Sequence, residues 1–157
     1  LRMTGFDLDY KRSLTFLPNW ARGVQVFANA SSQRAPDGIT NNFSFVRRSG
    51  SWGFSLSRPK FTYRMNWNYR EPQRRAIIAV GRSIEPNTYN WGSKRLYLDV
   101  TLDYNLSRRF TLFGSMRNIN DQTEDSKIYG PNTPDYAKFR QRVDYGSAWT
   151  FGLRGTL

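Results

Sequence analysis

Residues 96–106, LYLDVTLDYNL, alternate without a break. Leu96, Leu98, Val100, Leu102, Tyr104 and Leu106 fall on one side of an extended chain, and Tyr97, Asp99, Thr101, Asp103 and Asn105 on the other. Strand side chains point to opposite faces in turn, so one face here is apolar from end to end while the other carries carboxylates and an amide. Residues 61–70, FTYRMNWNYR, repeat the design, with Phe61, Tyr63, Met65, Trp67 and Tyr69 opposite Thr62, Arg64, Asn66, Asn68 and Arg70. Soluble strands cluster near about five or six residues, whereas roughly 9–11 tilted residues cross the hydrocarbon core of a bilayer. Both segments read as boundaries between oil and water.

Composition narrows the class. The 157 residues are the size of one domain. Hydrophobic residues are only 38% and the mean hydropathy is −0.69, and no apolar run approaches the ~18 residues of a membrane helix. A helical membrane protein is excluded. Aromatic residues at 16% suit the girdles that membrane barrels place at both bilayer interfaces. The sequence opens at Leu1 with neither a signal peptide nor an initiator Met, which fits a mature chain or a piece of something longer.

Along the chain the alternation predicts about seven strands. Residues 4–17 set Phe6, Leu8, Tyr10, Leu14 and Phe16 against Asp7, Asp9, Lys11 and Ser13; Arg12 interrupts the apolar face, either snorkelling near a headgroup or marking a bulge. A turn at 18–23 leads to Val24, Val26, Ala28 and Ala30, opposite Gln25, Phe27, Asn29 and Ser31. Residues 33–42 read as a polar loop. The parity of Phe43 and Phe45 differs from that of Trp52, Phe54 and Leu56, which places the third strand at about 50–57. Further strands follow at 61–70, 96–106, 110–118 and 144–157, with tight turns at 57–60 and 107–109 and long polar loops at 71–95 and 120–144. Connections thus alternate short and long. A meander of this kind puts the tight turns at one end and the long loops at the other, as outer-membrane barrels do.

The last strand, Tyr145-Gly146-Ser147-Ala148-Trp149-Thr150-Phe151-Gly152-Leu153-Arg154-Gly155-Thr156-Leu157, resembles the terminal strand of TonB-dependent outer-membrane receptors, which commonly show Gly-x-x-aromatic-x-x-Gly-hydrophobic-Arg and a hydrophobic last residue. Arg117-Asn118-Ile119-Asn120-Asp121 is similar to the run that closes the preceding strand in that family. Trp52 to Arg70, and the turn around Phe16-Leu17-Pro18, also look like the barrel of these receptors. Leu157 departs from the Phe that ends many members. The resemblance covers essentially the whole chain but only the C-terminal part of the family's plug-and-barrel architecture. It implies an all-β fold, an antiparallel meander of about seven long strands forming a partial segment of a transmembrane β-barrel, with no plug. It further implies residence in the bacterial outer membrane, with the C-terminus periplasmic and the long loops extracellular. The implied partners are outer-membrane lipid and lipopolysaccharide, the barrel-assembly machinery, a small-solute ligand, and the TonB complex through an N-terminal region outside this sequence. Trp149, Phe151, Leu153 and Leu157 would then form the barrel closure and the assembly signal.

Chemistry is sparse. Cysteine and histidine are absent, which removes disulfides, thiolate and imidazole metal sites, His-based triads and the usual general base near neutral pH. Neither a cofactor nor catalysis is expected. Asp99 and Asp103 share a face and suggest acid–base work or a cation site; the favoured reading is a polar wall, wetted or paired with Arg64 or Arg117. Three Asn-x-Ser sequons, at Asn29, Asn42 and Asn105, read as chance. The net charge of +12 raises nucleic-acid binding, yet the aromatics of 61–69 oppose the arginines, whereas a stacking platform needs both on one face. Nucleic acid is therefore not an expected partner. Arg74, Arg75, Arg82, Lys94 and Arg95 cluster in one long loop, and Lys127, Lys138, Arg140 and Arg142 in the other. They contact lipopolysaccharide or solvent, or they steer an anionic ligand inward.

The sequence is best read as a wall segment of a receptor for energised uptake of a scarce solute such as a siderophore, a corrinoid or an oligosaccharide. Its rival is a soluble all-β carbohydrate-binding module, which also shows one-sided alternation but has no reason to sort short and long connections by end.

Overall fold

In the computed structural model, residues 3–35 and 46–155 are described. Seven strands form one antiparallel sheet: β1 (Thr4–Ser13), β2 (Val24–Arg34), β3 (Arg48–Ser57), β4 (Phe61–Arg70), β7 (Arg95–Asn105), β8 (Phe110–Arg117) and β11 (Ala148–Gly155), neighbouring one another in that order. These are the seven strands expected from alternation, and each pairs with the next. Residues directly opposite in an antiparallel pair share a face, so the register tests every parity assignment. One row runs across all seven strands: Arg12, Val26, Phe54, Met65, Val100, Met116 and Trp149. The next row on that face reads Val24, Leu56, Tyr63, Leu102, Gly114 and Phe151. The intervening row on the other face reads Gln25, Ser55, Arg64, Thr101, Ser115 and Thr150. The β1–β2 register passes through Arg12 unbroken, which removes the bulge and leaves a cation inside an apolar row.

That apolar face is uncovered. Phe6, Leu8, Leu112, Trp149 and Phe151 are all exposed, Phe151 at 79%, and Ala21 is the one buried hydrophobic residue among those described. Among the described residues nothing packs on the oily side of the sheet, so they form no conventional core.

The boundaries differ from expectation where turn chemistry overrides the pattern. β1 stops at Ser13, not at 17. Leu14 N–H still donates to Val24 O at 2.9 Å, after which Pro18 introduces a 3-10 turn at Asn19–Ala21, so this connection occupies 14–23. β2 continues to Arg34 into the stretch read as loop. β11 begins at Ala148 because Gly146 takes a left-handed φ of 63°. The expectations at residues 36–42, Phe43, Phe45, Thr156 and Leu157 lie outside the described residues.

The larger correction concerns the two long loops, which contain strands: β5 (Gln73–Ile77), β6 (Tyr89–Gly92), β9 (Glu124–Tyr129) and β10 (Phe139–Val143). They form a second antiparallel sheet in the order β10-β9-β6-β5, the same neighbour order as β11, β8, β7 and β4, which they prolong. The two hairpins therefore run on past the long-loop end of the main sheet and pair with each other through β6 and β9. The main sheet itself is open, with β1 and β11 at its edges. No helix among the described residues is long and apolar enough to cross a membrane, which says nothing of crossing by strands.

The join between β8 and β9 explains the Arg-Asn-Ile-Asn-Asp run. Asn118 and Asp121 take φ of 53° and 49°, a left-handed region that Asn and Asp tolerate better than most residues. Asn120 extends the β7 edge past the end of β8, its Oδ1 accepting from Leu98 N–H at 2.9 Å and its Nδ2 donating to Leu96 O at 2.7 Å. Asn118 is 9% exposed. Its Oδ1 accepts from Gln122 N–H at 2.9 Å and its Nδ2 donates to Gly146 O at 2.9 Å, tying the turn to the approach of β11.

Candidate functional site

The polar face of the main sheet ends, at the long-loop side, in a group of guanidiniums. Arg70 closes β4, Arg95 opens β7, and the register sets them directly opposite each other, where like charges repel. Arg95 is held by Glu124 of β9: its Nη2 pairs with Oε2, while Tyr97 Oη donates to Oε1 at 2.5 Å. Glu124 is 8% exposed, so its charge is spent on those two partners. Arg75 reaches the same place from β5. Its guanidinium lies over Gly92, where a Cβ would stand 2.7 Å from Nη2. The positive charges of Arg70, Arg75 and Arg95 disfavour one another. Arg70 Nε and Nη2 are shut off from solvent and have no hydrogen-bond partner. Beside them Glu71 faces Arg48 at 4.0 Å, too far for a hydrogen bond.

The opposite face of the small sheet gathers other cations. Trp91 and Tyr129 meet edge to face at 5.7 Å, and with Lys94, Asp125, Lys127 and Arg142 they line a cleft of about 700 Å³. Arg142 forks onto Asp125, Nε to Oδ1 at 2.7 Å and Nη2 to Oδ2 at 3.0 Å. This hydrogen bonding holds the Asp125 carboxyl below its ordinary range and raises Arg142 further. Arg74 stacks over Tyr89 at 4.6 Å.

The steering candidates thus divide. Arg95 stands opposite Arg70 on the polar face and Arg75 lies over Gly92 on that side, while Arg74, Lys94 and Arg142 belong to the other side of the small sheet. Arg140 Nη1 donates to Asn90 Oδ1 at 2.6 Å, Lys138 pairs with Asp135 at 2.5 Å, and Arg82 lies apart in the β5–β6 connection beside a second cleft. Arg70 was read only as a strand residue; the signal that finds it is its register opposite Arg95. Trp149, Phe151 and Leu153 stand on the apolar face of β11 and are exposed.

The carboxylates of β7 have partners other than those expected. Asp99 accepts from Asn68 Nδ2 at 2.9 Å and from Asn118 N–H at 3.0 Å, and Asp103 faces Arg154 at 3.9 Å. Arg64 instead lies over the Phe27 ring at 4.5 Å. No cluster of acidic side chains among the described residues is arranged to hold a metal ion. Comparison with protein-family models, with curated proteins and with solved structures finds no match.

Proposed function

We propose that this chain is part of the wall of a TonB-dependent receptor barrel in a bacterial outer membrane, taking part in the energised uptake of a scarce solute. The observation that carries the proposal is the uncovered apolar face shared by seven consecutive strands of 8 to 11 residues. In water such a face exceeds what monomeric soluble proteins expose. Against lipid it is the ordinary outer surface of a barrel, and the polar face becomes the lumen. Arg12 then stands where a long side chain can reach a headgroup. The small sheet extends the wall beyond the bilayer at the end with the long connections, and the periplasmic end carries the turns 58–60 and 106–109. The plug, the contact with TonB and the remaining strands would come from sequence outside this chain, and the assembly machinery would read the β11 end.

A soluble carbohydrate-binding sandwich requires a second sheet on the apolar face, and the small sheet lies end-on to the main one rather than on it. The discriminating experiment is fractionation of the full-length protein from a Gram-negative host. Recovery in outer membranes with heat-modifiable electrophoretic mobility is the expected result. A soluble, heat-insensitive product would overturn the reading.

A further inference from the structure

We propose that the cleft bounded by Trp91, Tyr129, Lys94, Lys127 and Arg142 holds the phosphorylated sugar head of a glycolipid from the surrounding leaflet. The inference deepens the receptor reading and rests on it for the lipid, while the affinity for a phosphorylated sugar stands on the side chains of the cleft. Register fixes the side of the sheet on which the cleft opens. Glu124 turns to Arg95 on the polar face, so Asp125 and Lys127, which alternate with it along β9, belong to the side that continues the apolar face. Trp91 is paired with Lys127, and Arg142 with Asp125, which brings all four to that side. Lys94 precedes Leu96, the outermost apolar residue of β7, by about 7 Å of extended chain. The cleft therefore opens at the rim of the surface given to lipid, where hydrocarbon yields to headgroups. Tyr89, paired with Tyr129, and Phe139, paired with Lys127, continue the aromatic side chains along this rim as an interfacial girdle does.

At about 700 Å³ the cleft falls within the ~300–1,000 Å³ of small-molecule sites. Trp91, edge to face with Tyr129 at 5.7 Å, offers an apolar wall against which the C–H face of a sugar ring packs. Lys94, Lys127 and Arg142 share the cleft with the single carboxylate of Asp125, which leaves positive charge in excess. The fork between Arg142 and Asp125 takes up that carboxylate and holds the guanidinium in one orientation before a ligand arrives, lowering the cost of binding. No ion pair among the described residues takes Lys94 or Lys127, and Lys94 is exposed. Basic clefts at a membrane surface bind anionic headgroups, and the rings beside these lysines favour a sugar phosphate over a bare phosphate.

The test is native mass spectrometry of the full-length protein in detergent micelles, titrated with lipid A, an acylated and phosphorylated glucosamine disaccharide, and with its dephosphorylated form. Lipid A is expected to bind about tenfold more tightly or better, the scale of a charge-assisted contact. Lys94→Gln and Lys127→Gln should each weaken lipid A binding about fivefold and leave the dephosphorylated lipid unchanged, and Lys127→Arg should restore most of the loss. Trp91→Ala should weaken both lipids alike, and Arg108→Gln in the distant β7–β8 turn should weaken neither. Heat-modifiable mobility of every variant establishes that it is folded. Equal binding of the two lipids, or Lys94 and Lys127 variants that bind lipid A as the wild type does, would overturn the site. Glucosamine phosphate is the remaining probe: binding as tight as that of lipid A would make the ligand a soluble sugar phosphate and overturn the lipid assignment. A protein that inserts into the outer membrane and binds no lipid A sinks the cleft alone, whereas failure to reach the outer membrane sinks the receptor reading.

Discussion

Val100 and Thr101 are adjacent in sequence and belong to opposite faces of β7, opposite Met65 and Arg64 respectively. If lipid covers the apolar face, Val100→Arg should cost about 2–4 kcal/mol near the midplane, and Thr101→Arg far less. Folding yield of both variants in the full-length protein, by heat-modifiable mobility, checks this; equal tolerance would remove lipid from the apolar face. A second prediction concerns Asp125, whose carboxyl is depressed by the Arg142 fork. A depressed acid stabilises the fold fully above its unfolded value of about 3.9, and that contribution is lost as pH falls through the lower folded value. Acidification below about pH 4 should therefore loosen the β9–β10 pairing, and Arg142→Gln should abolish that part of the pH response. Amide exchange of β9 and β10, corrected for intrinsic rates, is the measurement. At this scale the face of nearly every strand residue was legible, because parity needs only the sequence. The partners of Asp99, and the meeting of Arg70 with Arg95, were not, because they depend on register between strands.

Among elements, the long strands announced themselves and the short ones did not. FTYRMNWNYR is paired from end to end as β4, since five apolar residues in strict alternation admit one reading. QRRAI, EDSKIY and FRQRV offer no such stripe, and the β5–β6 and β9–β10 ladders are each interrupted by a register shift. They are strands because they prolong hairpins already formed, a tertiary cause that outweighs weak local preference. Contact between strands also gives the polar face a recurring device: Phe27 lies opposite Gly53 and Phe113 opposite Gly152, with Arg64 and Arg154 stacked on the two rings. A Cβ at Gly53 would stand 2.0 Å from Met65 O and 2.9 Å from the Phe27 ring, whereas one at Gly114 meets nothing within 4 Å. Gly53→Ala should thus destabilise by about 1–3 kcal/mol, the range for overpacking, and Gly114→Ala should be close to neutral. Urea unfolding of the two variants in micelles measures the difference, and equal midpoints would mean that Gly53 is not held this close to Met65 O and the Phe27 ring.

At the level of the whole molecule, the sheet has two open edges and one bare face, and a single surrounding resolves both. Closure into a barrel pairs β1 and β11 with strands supplied from elsewhere in the protein, and lipid covers the face. The pairing is obligatory in hydrocarbon, where each unsatisfied backbone group costs several kcal/mol. β11 meets β8 along its whole length, from Ala148 opposite Arg117 to Gly155 opposite Phe110, so its other edge is the one that closure must use. Deleting residues 151–157 removes the half of β11 that faces Gly114 to Phe110 and leaves β8 as a partly unpaired edge inside the bilayer. The full-length protein carrying this deletion is expected to fail to insert, losing heat-modifiable mobility and protease resistance in isolated outer membranes. Gly155→Ala, with the Phe110 ring 3.1 Å from its Cβ, should insert, because it leaves the backbone ladder whole. Normal insertion of the deleted protein would mean that β11 closes no barrel, and the proposal for the whole chain would go with it.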